Sequence, residues 1–217
     1  MIYISQYLAR EVRSMETIQH IASRWEQADK AALRHLFPLL AAGKPVSHSL
    51  FAIIVKTDVF AVEKALQLGR TDRHSRGNVI GLSGFTLLPT LHRLMIEDVA
   101  LFSCCAMVVQ MMPSLAGKTA AIESIDPINN KVVKIIISPN SIQSVEPKEA
   151  VATFVVTNQE DVLREVSSAF CSHVRHFINY RTAEEFTSLN PKRYVVDIDQ
   201  LHRIAGQVRD LIWSQGI

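Results

Sequence analysis

The stretch 120-AAIESIDPINNKVVKIIIS-138 holds two arms rich in aliphatic and β-branched residues, joined through Asp126-Pro127 and Asn129-Asn130. Asp, Pro and Asn favour turns, and the arms favour extended backbone, so the stretch reads as a β-hairpin. Similar signals lie on both sides of it. Gly81 to His92 reads as a strand entering a turn, 96-IEDVA-100 carries a turn, and 151-VATFVV-156 is a further strand. Helices return towards the end of the chain. Thr182 with Glu185 three residues on forms a capping box, and Asp199 caps a helix with Leu201, Ile204, Ala205, Val208, Leu211 and Ile212 on one face.

Upstream of the strands the periodicity is helical. Asp29 caps a helix with Leu33, Leu36, Phe37 and Leu40 in register, kinked at Pro38 and ending at Gly43. Ser47 opens a short segment with Leu50, Phe51 and Ile54, and Asp58 opens a third with Val59, Val62, Ala65 and Leu66. The turn-rich 69-GRTDRHSRGNVIG-81 follows, giving the order of a helix-turn-helix with a wing. The expected class is therefore α+β: an N-terminal helical, winged-helix-like module over 1–80, then a mixed or antiparallel β core with flanking helices over 81–217.

Bulk properties exclude several kinds of protein. A chain of 217 residues and 24.3 kDa can bury a sizeable core without covalent staples. Its three cysteines, two of them adjacent, make a poor disulfide framework, and a cytoplasmic setting is expected. The N-terminus lacks the continuous apolar stretch of a signal peptide, and the longest apolar runs, Val99 to Val109 and Leu50 to Val55, are too short to cross a bilayer. The formal charge of +2 comes without any run of lysine or arginine, and the segment that would enter a DNA groove offers only Glu63 and Lys64 as charged residues. Neither a nucleic acid nor a membrane is an expected partner.

The cysteines carry the remaining signal. Cys104 and Cys105 sit in 101-LFSCCAMVVQMM-112, and Cys171 lies in 167-SSAFCSHVRHF-177 with His173 and His176 beside it. From pattern alone two readings stand: small apolar core residues, or a shared two-thiolate site for a soft metal. Histidines so placed more often belong to a solvated or capped helix face than to a ligand set.

Four segments in register extend this reading. In order, 77-GNVIGLSGFTLLPTLHRL-94, 101-LFSCCAMVVQMMPSLAGKTA-120, 137-ISPNSIQSVEP-147 and 169-AFCSHVRHF-177 resemble the organomercurial (alkylmercury) lyase family, and 36-LFPLLAAGKPVS-47 is similar to its helical module. The resemblance runs from Lys30 to Pro191. It implies cleavage of a carbon–mercury bond, with a small organomercurial as substrate, Hg(II) as product and no resident cofactor. In that family a cysteine in a W-C-A-x-D motif and a second in an F-C motif grip the metal, and the aspartate handles the proton that goes to the leaving carbon. By this resemblance Cys105 takes the first cysteine's place and Cys171 the second's, as catalytic residues and mercury ligands, with Cys104 an additional thiol.

Two positions depart from the family pattern. Val108 stands where the aspartate is expected, and Cys104 where the tryptophan is. Two functions are compatible with that: a lyase that protonates the carbon by another route, or a soft-metal or organomercury binder without the proton relay. In either case a free thiol is mostly protonated at neutral pH, and a helix N-terminus near Ser103 is the feature expected to favour its anion.

Overall fold

A computed structural model describes residues 14–23, 30–56, 58–68, 71–73, 77–82 and 84–213. Helix α1 covers 14–23, followed by α2 (Lys30–Ala41), α3 (His48–Val55) and α4 (Val59–Leu68). Five strands follow: β1 (Thr71–Arg73), β2 (Val79–Leu82), β3 (Phe85–Thr86), β4 (His92–Ile96) and β5 (Val99–Ser103). Helix α5 (Ala106–Ala116) leads to β6 (Ala120–Ile125), β7 (Val132–Ile137), β8 (Ile142–Glu146) and β9 (Val151–Val155). After α6 (Gln159–Ala169) come a single 3-10 turn at Cys171–His173, β10 (His176–Phe177), α7 (Tyr180–Ser188), β11 (Arg193–Asp197) and α8 (Ile198–Trp213).

The 120–138 stretch forms its expected hairpin, with Ile122 opposite Ile135 and the chain reversing between Asp126 and Lys131. Side chains alternate strictly along β7. Val133, Ile135 and Ile137 are buried while Val132, Lys134 and Ile136 are exposed, as in an antiparallel sheet with one packed and one wet face. The hairpin belongs to an eight-stranded antiparallel sheet of order β1-β2-β3-β5-β4-β6-β7-β8. Strand β4 thus lies between β5 and β6, and α5 joins the two strands that flank it. A second antiparallel sheet of order β10-β9-β11 carries α6 and α7.

Helix α5 explains how the layers join. Ala106 through Pro113 are all buried, so the helix is enclosed on every side and sits between β4, β5 and β6 on one flank and α8 on the other. Leu201, Ile204, Ala205, Val208 and Ile212 form the face of α8 that covers it, as their spacing predicts. Buried apolar side chains form one continuous cluster from Ile18 to Ile212. The helical module reaches the sheet through paired backbone bonds between Val46 and Val79, of 2.9 and 2.8 Å. Gly43 (φ +77°) closes the end of α2, and a Cβ there would come within 2.7 Å of Val99 Cγ1, so the turn presses directly on β5.

The helix starts differ from expectation in three places. Helix α7 is capped by Asn179, whose side chain accepts from Thr182 N, so Thr182 lies inside the first turn. Asp199 also lies in the first turn of α8, because that helix starts at Ile198. Helix α5 starts at Ala106 with Cys105, not Ser103, as its N-cap. Asp and Thr suit first-turn positions as well as caps, so spacing alone leaves the register of a helix start open by a few residues. Asp29 falls outside the described residues. Among the described residues no helix is long and apolar enough to cross a membrane.

Candidate functional site: a buried thiol pair

Cys105 occupies the corner where β5 ends and α5 begins. Ser103 Oγ accepts from Cys105 N at 3.1 Å and donates to Cys105 O at 3.0 Å, which turns the chain sharply after the strand. On either side, Cys104 N donates to Gly84 O and Ala106 N to Val174 O, both at 3.0 Å. The Cys105 sulfur faces the first-turn amides of Met107 and Val108. This contact is too loose for a capping hydrogen bond, yet it places the thiol at the positive end of a helix.

Cys171 begins the 3-10 turn after α6. His173 N donates to Phe170 O at 2.9 Å, and Thr153 Oγ1, buried in β9, donates to His173 O at 2.7 Å while accepting from Arg175 N at 3.2 Å. The Cys171 thiol lies near enough to those of Cys105 and Cys104 for the three to influence one another's proton affinity. Cys105 and Cys171 are buried and Cys104 is partly exposed, and all three are free thiols. Among the described residues, no three His, Cys, Asp or Glu side chains converge as a resident metal site would require.

One guanidinium ties the two segments together. Arg175 donates from Nη1 to the carbonyl of Cys104 at 2.7 Å and from Nε to the carbonyl of Ser172 at 3.2 Å. It thus bonds to the residue before Cys105 and to the residue after Cys171. Arg175 Nη1 also lies 3.4 Å from His92 Nε2, the start of a buried polar chain. His92 Nδ1 and His176 Nδ1 each lie 2.8 Å from Ser124 Oγ, and His176 Nε2 lies 2.9 Å from the Gln110 amide. Arginine can only donate, which leaves the proton of a neutral His92 on Nδ1. The chain then runs His92 Nδ1–H to Ser124, and Ser124 O–H to His176 Nδ1. His176 Nε2–H goes to Gln110 with the amide oxygen turned towards the ring, which pairs an Oε1 that otherwise lacks a partner.

Surroundings separate the titrating groups. Burial pushes the Cys105 thiol up, but the Cys171 thiol, the Val108 and Met107 amides and the Arg175 charge outweigh it and hold Cys105 below its ordinary value. Contact with the thiols of Cys104 and Cys105, together with burial, drives Cys171 well above its ordinary value. One sulfur is therefore disposed to be the anion, and its neighbour to hold the proton. Burial lowers His176 to about 3, while burial and the neighbouring His176 and Arg175 lower His92, so both rings are neutral at pH 7.

The structure brings Cys105, Cys171 and Cys104 together and leaves the other polar neighbours elsewhere. Glu97 and Asp98 form the turn at the far end of the β4–β5 hairpin, where Glu97 pairs with Lys118 at 2.7 Å. His173 points away from the thiols and accepts from Arg193 Nε at 3.0 Å. His176 is fully buried in a strand, not on a solvated helix face, because Ser124 and Gln110 satisfy both of its nitrogens. Sequence reading missed Arg175, His92, Ser124 and Gln110. The available signal was two histidines and an arginine beside apolar strand positions, which a buried polar network explains as well as a solvated face does.

Comparison with known proteins shows the family of the chain. A family model described as MerB, alkylmercury lyase, matches residues 85–209. An alkylmercury lyase of Staphylococcus epidermidis is 29% identical over 197 residues, covering 90% of this chain and 87% of that protein. An alkylmercury lyase of Bacillus cereus is 30% identical over 202 residues, covering 87% of this chain and 91% of that protein. The fold is shared with the crystal structure of the mercury-bound form of MerB2, at a TM-score of 0.77 and 14% identity over 91% of this chain and 99% of that one. With a family model matched over more than half its length, and full-length relatives of the same kind, the chain belongs to the alkylmercury lyase family.

Proposed function

We propose that the protein is an organomercurial lyase that cleaves the carbon–mercury bond by protonolysis, with Cys105 and Cys171 as the thiolates that hold the metal. The observation that carries this reading is a pair of buried thiols, near enough to influence each other, whose surroundings drive their proton affinities apart. Hg(II) is soft and binds thiolates strongly. Cys105, held as the anion, attacks R–Hg⁺ first. Cys171 then binds as its proton leaves, and the second sulfur weakens the bond to carbon. The balance is R–Hg⁺ plus two thiols giving R–H, a dithiolate-bound Hg(II) and one proton to solvent. Arg175 keeps the two cysteine segments in register and favours the sulfur anion, and the neutral His92–Ser124–His176–Gln110 chain orients Arg175. The partners in this reading are a small organomercurial and the soft metal ion, with neither nucleic acid nor membrane. The reaction consumes reduced thiols, which suits the cytoplasm.

A second reading rests on Val108. This side chain carries no proton, so the protein would retain R–Hg⁺ or Hg(II) without cleaving. One experiment separates the two. The reduced protein is mixed with phenylmercury and benzene is followed in the headspace. Near-stoichiometric benzene with Hg(II) retained on the chain is the expected result. Retention of intact phenylmercury without benzene would replace the lyase by the binder.

A further inference from the structure

Two exchanges in this chain meet at one point. The family pattern's carboxylate gives way to Val108 and its tryptophan to Cys104, three residues after and one residue before Cys105. Gly84, in the β2–β3 turn at φ +88°, lies under both replacements: a Cβ there would be 3.1 Å from Cys104 Sγ and 3.5 Å from Val108 Cγ2. The Cys104 sulfur therefore lies over the same glycine as the side chain of Val108. Cys104 is also, unlike Cys105 and Cys171, partly exposed.

We propose that Cys104 is the proton carrier of the cleavage step, in the role the carboxylate at position 108 would otherwise fill. This deepens the lyase reading above and rests on it. The three thiols do not converge on one point, so a third mercury ligand is the poorer assignment for Cys104. What remains is a side chain with a transferable proton at the edge of the two-sulfur site. In the step, Cys104 S–H protonates the carbon of R–Hg held by the Cys105 and Cys171 thiolates. The C–Hg electron pair forms the new C–H bond, R–H leaves, and Hg(II) stays on the two sulfurs. The Cys104 thiolate then regains a proton from solvent through its exposed side.

The test uses single-turnover release of benzene from phenylmercury by the whole chain. Cys104→Ser should slow release on the order of 10²-fold or more, the usual scale for loss of a positioned acid. The variant should still bind one Hg(II) with unchanged sulfur-to-mercury absorption, and its wild-type circular dichroism and thermal unfolding show that it has folded. Cys104→Ala serves the same purpose if serine is not tolerated. Adding Val108→Asp to either variant should recover at least about tenfold of the rate. Release at the wild-type rate from Cys104→Ser, or slow release that Val108→Asp does not recover, overturns the proton-carrier role and leaves the lyase reading standing. Absence of benzene from the wild-type chain overturns the lyase reading, and this role with it.

Discussion

Cys105 and Cys171 are both buried and near enough to influence each other, and still lean towards opposite protonation states. The backbone around each makes the difference. Cys105 opens an eleven-residue helix, so first-turn amides and the Arg175 charge face its sulfur. Cys171 opens a three-residue 3-10 turn, and the groups around its sulfur are two other thiols. A helix start supplies several aligned N–H dipoles to an anion, and an isolated turn supplies almost none. Two identical side chains are thus given different proton affinities by the elements that carry them.

Replacing each thiol in turn is the most severe way to break this contrast. Cys105→Ser and Cys171→Ser should each lower hydrocarbon release on the order of 10⁴-fold or more, as loss of a reacting group usually does. They should differ in capture. In chains that also carry Cys104→Ala, Cys171→Ser should still gain the mass of phenylmercury promptly at pH 7, whereas Cys105→Ser should do so slowly. Equal capture by both would show that the surroundings do not set the order of attack.

The support beneath the pair titrates next. His176 has an ordinary value of 6.5 in the unfolded chain and about 3 when folded, so the unfolded state takes up a proton that the native state refuses. Stability is therefore full above pH 6.5 and falls as the pH drops towards 3. Between pH 7 and pH 5 the loss from this ring is about 2 kcal/mol. Urea unfolding at the two pH values measures it, and His176→Gln should remove that part of the slope.

Arg175 serves both cysteine segments, so Arg175→Met should affect them unequally. With the charge gone, alkylation of Cys105 by iodoacetamide should shift to higher pH, and capture of phenylmercury at pH 7 should slow on the order of tenfold. Arg175→Lys restores charge without the two carbonyl bonds, so it should recover the alkylation profile better than it recovers cleavage. The smallest effect is expected from Thr153→Val, which removes the bonds to His173 O and from Arg175 N. It should cost about 1 kcal/mol in thermal unfolding and leave the Cys105 alkylation profile in place.

Much of the framework was legible because neighbours in sequence decide it. The β6–β7 hairpin follows from its arms and turn residues, and α8 from the spacing Leu201, Ile204, Ala205, Val208, while the choice of Cys105 and Cys171 rests on motifs that keep the family's order. Helix starts were less legible. Asn179 and Thr182 are both good caps, and cysteine is not a residue that capping preference selects at 105. The polar chain behind the site was not legible, because its bonds join residues 32 to 83 positions apart. Until β4, β6, α5 and β10 are assembled, nothing distinguishes His92 or Ser124 from ordinary polar residues on a half-exposed strand.

Residues 105 and 171 stand 66 positions apart, so any ion held by both sulfurs closes a long loop of chain. In the polymer view, a crosslink over a loop of that length lowers the entropy of the unfolded chain by the equivalent of about 4 kcal/mol at 25 °C. A dithiolate-bound Hg(II) would act as such a crosslink, and an organomercurial held by one sulfur would not. The chain would then be hardest to unfold after cleavage, while it carries its product. Its return to the empty form would depend on thiols from solution to open the loop.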